Sequence, residues 1–303
     1  MKDYYVKESK CENLFARLGS IYHLWTQEDF EIIFTCDDDF KVGMNIVGLC
    51  AQLYSSVTIL TFELMSNHIH FTLCGHEEVI VEFFETIKKH LCKFFSKQGR
   101  NIRWNGFQQK HRLIKSLGEA RNVIVYNNRN GFLVNDDYTP FSYPWGANRY
   151  YFHQDAKILA SEHALPASVR FRRSYLFSHI ADELTDFLIF EDYALPLSFC
   201  RVDLGEGLFT SASNYFYRLS KNVESMKEIA KEIGESVFYT DDELFSTTSR
   251  ICKTRYGYAN PGQIPADAKL EIAKTLKFEY NANAKQISRI LKVTLQNLAS
   301  IGI

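Results

Sequence analysis

The sequence has no stretch of the roughly 18 to 20 uninterrupted apolar residues that a membrane-spanning helix needs. Its opening, MKDYYVKESKCE, is too charged for a secretory signal. The expectation is a soluble, cytoplasmic chain with no membrane partner. Paired cysteines are missing as well. The seven present, Cys11, Cys36, Cys50, Cys74, Cys92, Cys200 and Cys252, form no CxxC and are odd in number, which argues for reduced thiols rather than a zinc site or a disulfide framework. No internal repeat or low-complexity tract is visible. Nor is there a charge excess: the formal net charge of -1 excludes a uniformly basic nucleic-acid coat, although a whole-chain sum hides local placement.

At 303 residues and 46% hydrophobic, the chain can bury a substantial core, as one large domain or two ordinary ones. Its charge is uneven. Between residues 88 and 129 lie Lys88, Lys89, Lys93, Lys97, Arg100, Arg103, Lys110, Arg112, Lys115, Arg121 and Arg129, opposed by Glu119 alone. Such a block suits phosphate. Asp37, Asp38 and Asp39 offset it in the total and read as a solvated helix start.

Strand and helix signals alternate through the first 150 residues. A strand is expected near Ile21 to Trp25, a helix over DDDFKVGMNIVGLCAQL, a strand over VTILTFELM and its hairpin partner over NHIHFTLCG. HEEVIVEFFETIKKHLCKFFSK is amphipathic, and SLGEARNVIVYNNRNGF predicts a further helix ending near Gly131. Pro140 and Pro144 mark a break. The expected architecture is α+β, an antiparallel sheet with helices on one face, then a mostly helical C-terminal region. The expected divisions are 1–153, 154–245 and 246–303.

Two histidines one residue apart, His68 and His70, share a face if their segment is a strand, while Ile69 points into the core. Such a pair can grip a metal, or it can be two hydrogen-bonded, half-buried side chains. Asn67 can orient a histidine or close the hairpin turn, with the turn favoured. Glu63 can support a ligating histidine or be a strand-end surface charge.

Several stretches occur in the order found in one family. YHLWTQEDFEIIF, ELMSNHIHFTL, WNGFQQKHRLI and RNVIVYNNRNGFLVNDDYTPFSYPWG together resemble the HUH (His-hydrophobic-His) single-tyrosine transposases, particularly the REP-associated tyrosine transposases, over about the first half of the chain. The resemblance implies a ferredoxin-like sheet, the HUH endonuclease fold, with histidines on a central strand facing a helix that carries a tyrosine nucleophile. It implies Mg²⁺ or Mn²⁺ held by His68, His70 and Asn130, with Tyr126 attacking single-stranded or hairpin DNA to leave a 5′-phosphotyrosine. The pattern departs from the family where proline often follows the asparagine. Matching Asn130 puts Gly131 there, whereas matching Asn127 moves the nucleophile position to Val123. Lys110, Arg112, Arg121 and Arg129 are the accompanying candidates for DNA contact.

Near the C-terminus, KQISRIL and LQNLASI flank a short turn in a spacing that resembles a helix-turn-helix, with Lys285 and Arg289 as candidate DNA contacts. A packing unit without DNA contact fits the same spacing. The functional expectation is therefore a metal-dependent DNA endonuclease and strand transferase, a monomer or a homodimer. The rival is a catalytically inactive descendant that binds DNA.

Overall fold

A computed structural model describes residues 16–27, 29–133, 138–139, 142–184, 186–219, 241–258, 261–280 and 282–303. The chain divides into two compact units. The first takes residues up to Lys221 except 133–136, and the second takes those four with Asn222–Ile303.

The first unit is built on a four-stranded antiparallel sheet: β1 (Ser20–Thr26), β2 (Thr58–Leu64), β3 (Ile69–Gly75) and β4 (Gln109–Leu113), in the order β2-β3-β1-β4. Helix α1 (Asp37–Leu53) joins β1 to β2, and α2 (Glu77–Lys97) joins β3 to β4. Alternation gives the sheet two unlike faces. Leu24, Phe62, Phe71 and Leu73 are fully buried in the core. Phe71 stacks on Phe62 and meets Phe83 of α2 edge-on, while α1 packs on β2 and against α2.

The opposite face is polar and is covered by α3 (Leu117–Leu133). Asn127 of this helix donates to Thr72 Oγ1 at 2.9 Å, and Thr61 donates to Asn128 Oδ1. Helices therefore lie on both faces, not on one as the sequence suggested. The reason is chemical: β1, β2 and β3 carry polar side chains on this face that only a helix with its own amides can satisfy. The expected helix end at Gly131 also shifts, to Leu133. This glycine sits inside the last turns, where a Cβ would lie 2.1 Å from the Tyr143 ring.

The boundary expected at residue 153 is not a break. Helices α4 (Gln154–His163), α5 (Val169–Leu176), α6 (Val202–Gly207) and α7 (Ala212–Leu219), with a small sheet of β5 (Leu165–Pro166), β6 (Leu188–Phe190) and β7 (Tyr193–Ala194), belong to the first unit. Ala194 N donates to the buried Asn45 Oδ1 of α1 at 2.7 Å, and Tyr215 OH accepts from Asn128 Nδ2 at 3.0 Å. A bulge at Leu60 in β2 frees a carbonyl that accepts from Tyr151 OH at 2.7 Å. The outer edge of β2 is covered by backbone bonds to Trp145, Ala147 and Arg201, which removes a site for strand addition.

The second unit holds α8 (Asp241–Tyr256), α9 (Ala266–Tyr280), α10 (Ala284–Leu291) and α11 (Leu295–Ala299). Leu244, Cys252, Leu276, Ile287, Leu291 and Leu298 are in its core. Asn283 and Gln286 form a capping box at the start of α10, Lys292 ends that helix in the left-handed region, and Thr294 caps α11. The two-helix spacing read from KQISRIL and LQNLASI is thus present, with α11 only five residues long. Among the described residues no helix is long and apolar enough to cross a membrane.

The acidic start of α1 is more than a solvated cap. Asp39 accepts from Thr35 N at 2.8 Å, from the Thr35 hydroxyl at 2.6 Å and from Arg100 Nη1 at 2.8 Å, so it ties α1 to the end of α2. Replacing Asp39→Ala strands a half-buried guanidinium and two local donors. The expected loss is about 2 kcal/mol of unfolding free energy, read as a lower urea midpoint at unchanged slope.

Candidate functional site

Two ranks of side chains cross the polar face of the sheet. Strand register places Lys110, Trp25, His70 and Glu63 side by side on β4, β1, β3 and β2, and places Arg112, His23, Thr72 and Thr61 in the next rank. Both histidines in these ranks, His23 and His70, are fully buried, as are Glu63, Thr61 and Thr72.

Ring contacts gather the cluster. The His68 and His70 rings lie 4.9 Å apart between centroids at an interplanar angle of 87°. Tyr126 of α3 meets His70 edge-on at 5.6 Å and His23 at 6.1 Å. His23 stacks on His70 at 5.7 Å and on Trp25 at 4.8 Å. The structure thus brings His68, His70 and Tyr126 together. Asn130 lies one turn beyond Tyr126 and is half-buried. Val123, the other register of the tyrosine motif, is a buried core residue.

His68 stands in the turn just before β3 rather than on it. Its Nδ1 is 2.7 Å from Asn67 Oδ1, and Asn67 Nδ2 donates to Phe30 O at 3.2 Å. Asn67 therefore orients the histidine as well as occupying the turn, which exceeds the turn role favoured from sequence. Loss of hydration lowers the His68 pKa to about 3, so its ring is neutral at physiological pH. A neutral imidazole is the form that binds metal.

Glu63 is not a surface charge. Its Oε2 accepts from Gly131 N near the end of α3 at 2.7 Å, while its Oε1 is buried with no hydrogen-bond partner among the described residues. Burial raises its pKa well above the usual carboxylate range against the opposing bond from Gly131. It joins the strand facing His70 to the helix carrying Tyr126. Among the described residues no group of three or more His, Cys, Asp or Glu is arranged to hold a metal ion.

The basic block is dispersed by folding. Arg100 pairs with Asp39, Arg103 with Glu31, Lys88 with Glu85, and Arg112 with Glu119. Arg121 donates to Leu208 O at 3.0 Å. Arg129, expected to meet DNA phosphate, is buried and points its charge into the protein, because its place on α3 faces the packed interior. Lys110 is exposed beside half-buried Trp25, at the open end of the first rank. In the second unit Lys285 and Arg289 are exposed on α10. Trp104 and Phe107, for which a core place was favoured over base stacking, are core residues.

Sequence reasoning missed His23 and Trp25 as members of the cluster, and Asn127, weighed only as the other register of the asparagine motif, bonds Thr72 instead. The first two were accessible in principle, since they alternate on β1, but their place beside His70 depends on a register that the sequence does not display. Compared with known proteins, the chain matches no family model, no curated protein and no solved structure.

Two buried groups give opposite pH limbs. For His68 the unfolded state takes up its proton near pH 6.5 and the folded state only near 3, so its contribution to stability is lost as pH falls between these values. For Glu63 the folded pKa is raised, so stability is lost as pH rises from the carboxylate range through that higher value. Thermal melts across pH should show a shallower acid limb in His68→Gln and a shallower alkaline limb in Glu63→Gln.

Proposed function

We propose that this protein is a metal-dependent DNA endonuclease and strand transferase of the HUH single-tyrosine kind, acting on single-stranded or hairpin DNA. The observation that carries the reading is the convergence of His68, His70 and Tyr126 from a hairpin and a separate helix. The element order β-α-β-β-α-β, with β1 and β3 central, supports the ferredoxin-like plan that the resemblance implies.

The donor chemistry fits a divalent cation. His68 is held neutral, and His70 and the Asn130 carboxamide would complete the set for Mg²⁺ or Mn²⁺. When bound, the cation supplies Lewis-acid polarisation of the scissile phosphate. Asn67 fixes the His68 ring, and Glu63 fixes the end of the tyrosine helix. Tyr126 Oη attacks phosphorus, forming the phosphotyrosine bond as the bond to the 3′ oxygen breaks. The phenol proton leaves with the 3′-hydroxyl. The reverse attack by that hydroxyl rejoins the strand, so bond energy is conserved. Exposed Lys110 would meet a neighbouring phosphate, as would Lys285 and Arg289 if the second unit reads DNA.

Burial favours a second reading. His70 is 0% and Tyr126 3% exposed, which suits a descendant that binds DNA and no longer cuts it. Labelled single-stranded and hairpin oligonucleotides with Mn²⁺ separate the two. A covalent protein-DNA adduct, reduced about 10³-fold in Tyr126→Phe with binding retained, supports the enzyme. Binding without an adduct supports the second reading.

A further inference from the structure

Helix α2 lies on the apolar side of the sheet, away from the histidine cluster, and part of its surface meets α5. Lys89, Lys93 and Lys97 recur every four residues along it and are exposed. Two of them converge on one ring: the Lys93 ammonium is 4.8 Å and the Lys97 ammonium 3.8 Å from the centroid of Phe177. Neither lysine has an ion-pair partner among the described residues, whereas Arg100, Arg103 and Arg112 of the same basic block do. Phe177 itself takes a left-handed conformation, φ 51°, at the end of α5. A bulky residue disfavours that region. Its neighbours Tyr175 and Phe94 stack at 5.6 Å with an 11° interplanar angle, which fixes the platform.

Two ammonium groups held over one phenyl repel each other, and the ring quadrupole offsets only part of that cost. The field of the stripe reaches inward: His90 is held below its ordinary pKa first by burial and then by Lys89 and Lys93. A disfavoured backbone and two like charges held together with no counterion among the described residues describe a surface shaped for an anion supplied from outside.

We propose that the Lys89–Lys93–Lys97 stripe with Phe177 is a second phosphate-binding face, which takes the backbone of a nucleic acid on the side of the sheet opposite the histidine cluster. This rests on the DNA reading above only for the identity of the polyanion. A nucleic acid is favoured over a lipid surface because the rings beside the lysines, Phe94, Tyr175 and Phe177, are half-buried in contact with one another rather than projecting outward to insert.

The test measures anisotropy of labelled single-stranded and hairpin oligonucleotides over a range of salt with the full chain. The double variant Lys93→Glu/Lys97→Glu should weaken binding about tenfold or more and reduce the log–log salt slope by about 1.5. Lys93→Gln/Lys97→Gln, milder at these exposed positions, should move both in the same direction, with thermal melts confirming the fold. Unchanged affinity and slope in both variants overturn the proposal, as does wild-type protein that binds anionic phosphatidylserine vesicles through these lysines and no oligonucleotide. Adduct formation is scored separately: lysine-dependent binding without an adduct upholds this face while the nuclease reading fails, and an adduct with lysine-independent binding does the reverse.

Discussion

The interface between α3 and the polar face of the sheet sets the geometry of everything around it. Most helices dock on sheets through apolar side chains, and such contacts tolerate small slides because hydrophobic burial is non-directional. Here three fully buried directed bonds help to hold the helix: Asn127 to Thr72, Thr61 to Asn128, and Gly131 N to Glu63. Each group is buried, so breaking its bond exposes no compensating water. The bonds reach β3 once and β2 twice, and together they fix both the height and the rotation of α3. That rotation directs Tyr126 against His70 and His23.

The rest of the first unit supports this arrangement. The apolar face, with Phe62, Phe71 and Phe83 in mutual contact, carries the hydrophobic stabilisation that a polar face cannot provide. The segment after residue 153 braces α3 from outside: Tyr215 accepts from Asn128, leaving that amide bonded at both ends, and Leu208 O takes Arg121. Gly131 allows the Tyr143 ring to sit against the helix, and that tyrosine donates to Leu64 O at 2.5 Å, at the end of β2. A side chain at residue 131 would force apart the helix and the strand that Glu63 ties together.

The sequence made the elements legible because each carries a local period. The helix over residues 37–53, the hairpin of β2 and β3, and the paired helices near the C-terminus all follow from patterns only a few residues long. The convergence of the His68–His70 pair with Tyr126 was legible through motif order. What was not legible depends on partners far along the chain. Arg100 meets Asp39 across 61 positions, and Glu63 meets Gly131 across 68. A basic block therefore reads as one patch until folding assigns Arg100, Arg103, Arg112 and Arg121 acceptors of their own. The polar face of the sheet escaped for a related reason: His23, His70 and Glu63 come from three strands, and only register aligns them.

Access to the cluster follows from the same ranks. The interior of the face is closed, since His23 and His70 are fully buried and α3 lies over them. The ranks open where β1 ends and β3 begins, with half-buried Trp25 and His68 and exposed Lys110. A phosphate approaching this protein would meet the lysine charge first, then the indole, then the His68 ring held by Asn67. Tyr126 is buried beside His70. On the nuclease reading, access to Tyr126 requires the end of α3 to yield, and one contact that resists this motion is the bond from Gly131 N to the Glu63 carboxyl, whose pKa burial raises well above the usual carboxylate range. Burial disfavours the ionised carboxylate, and an amide bonds a neutral acceptor more weakly than an ionised one, so this contact binds the helix less tightly than an ionised carboxylate would.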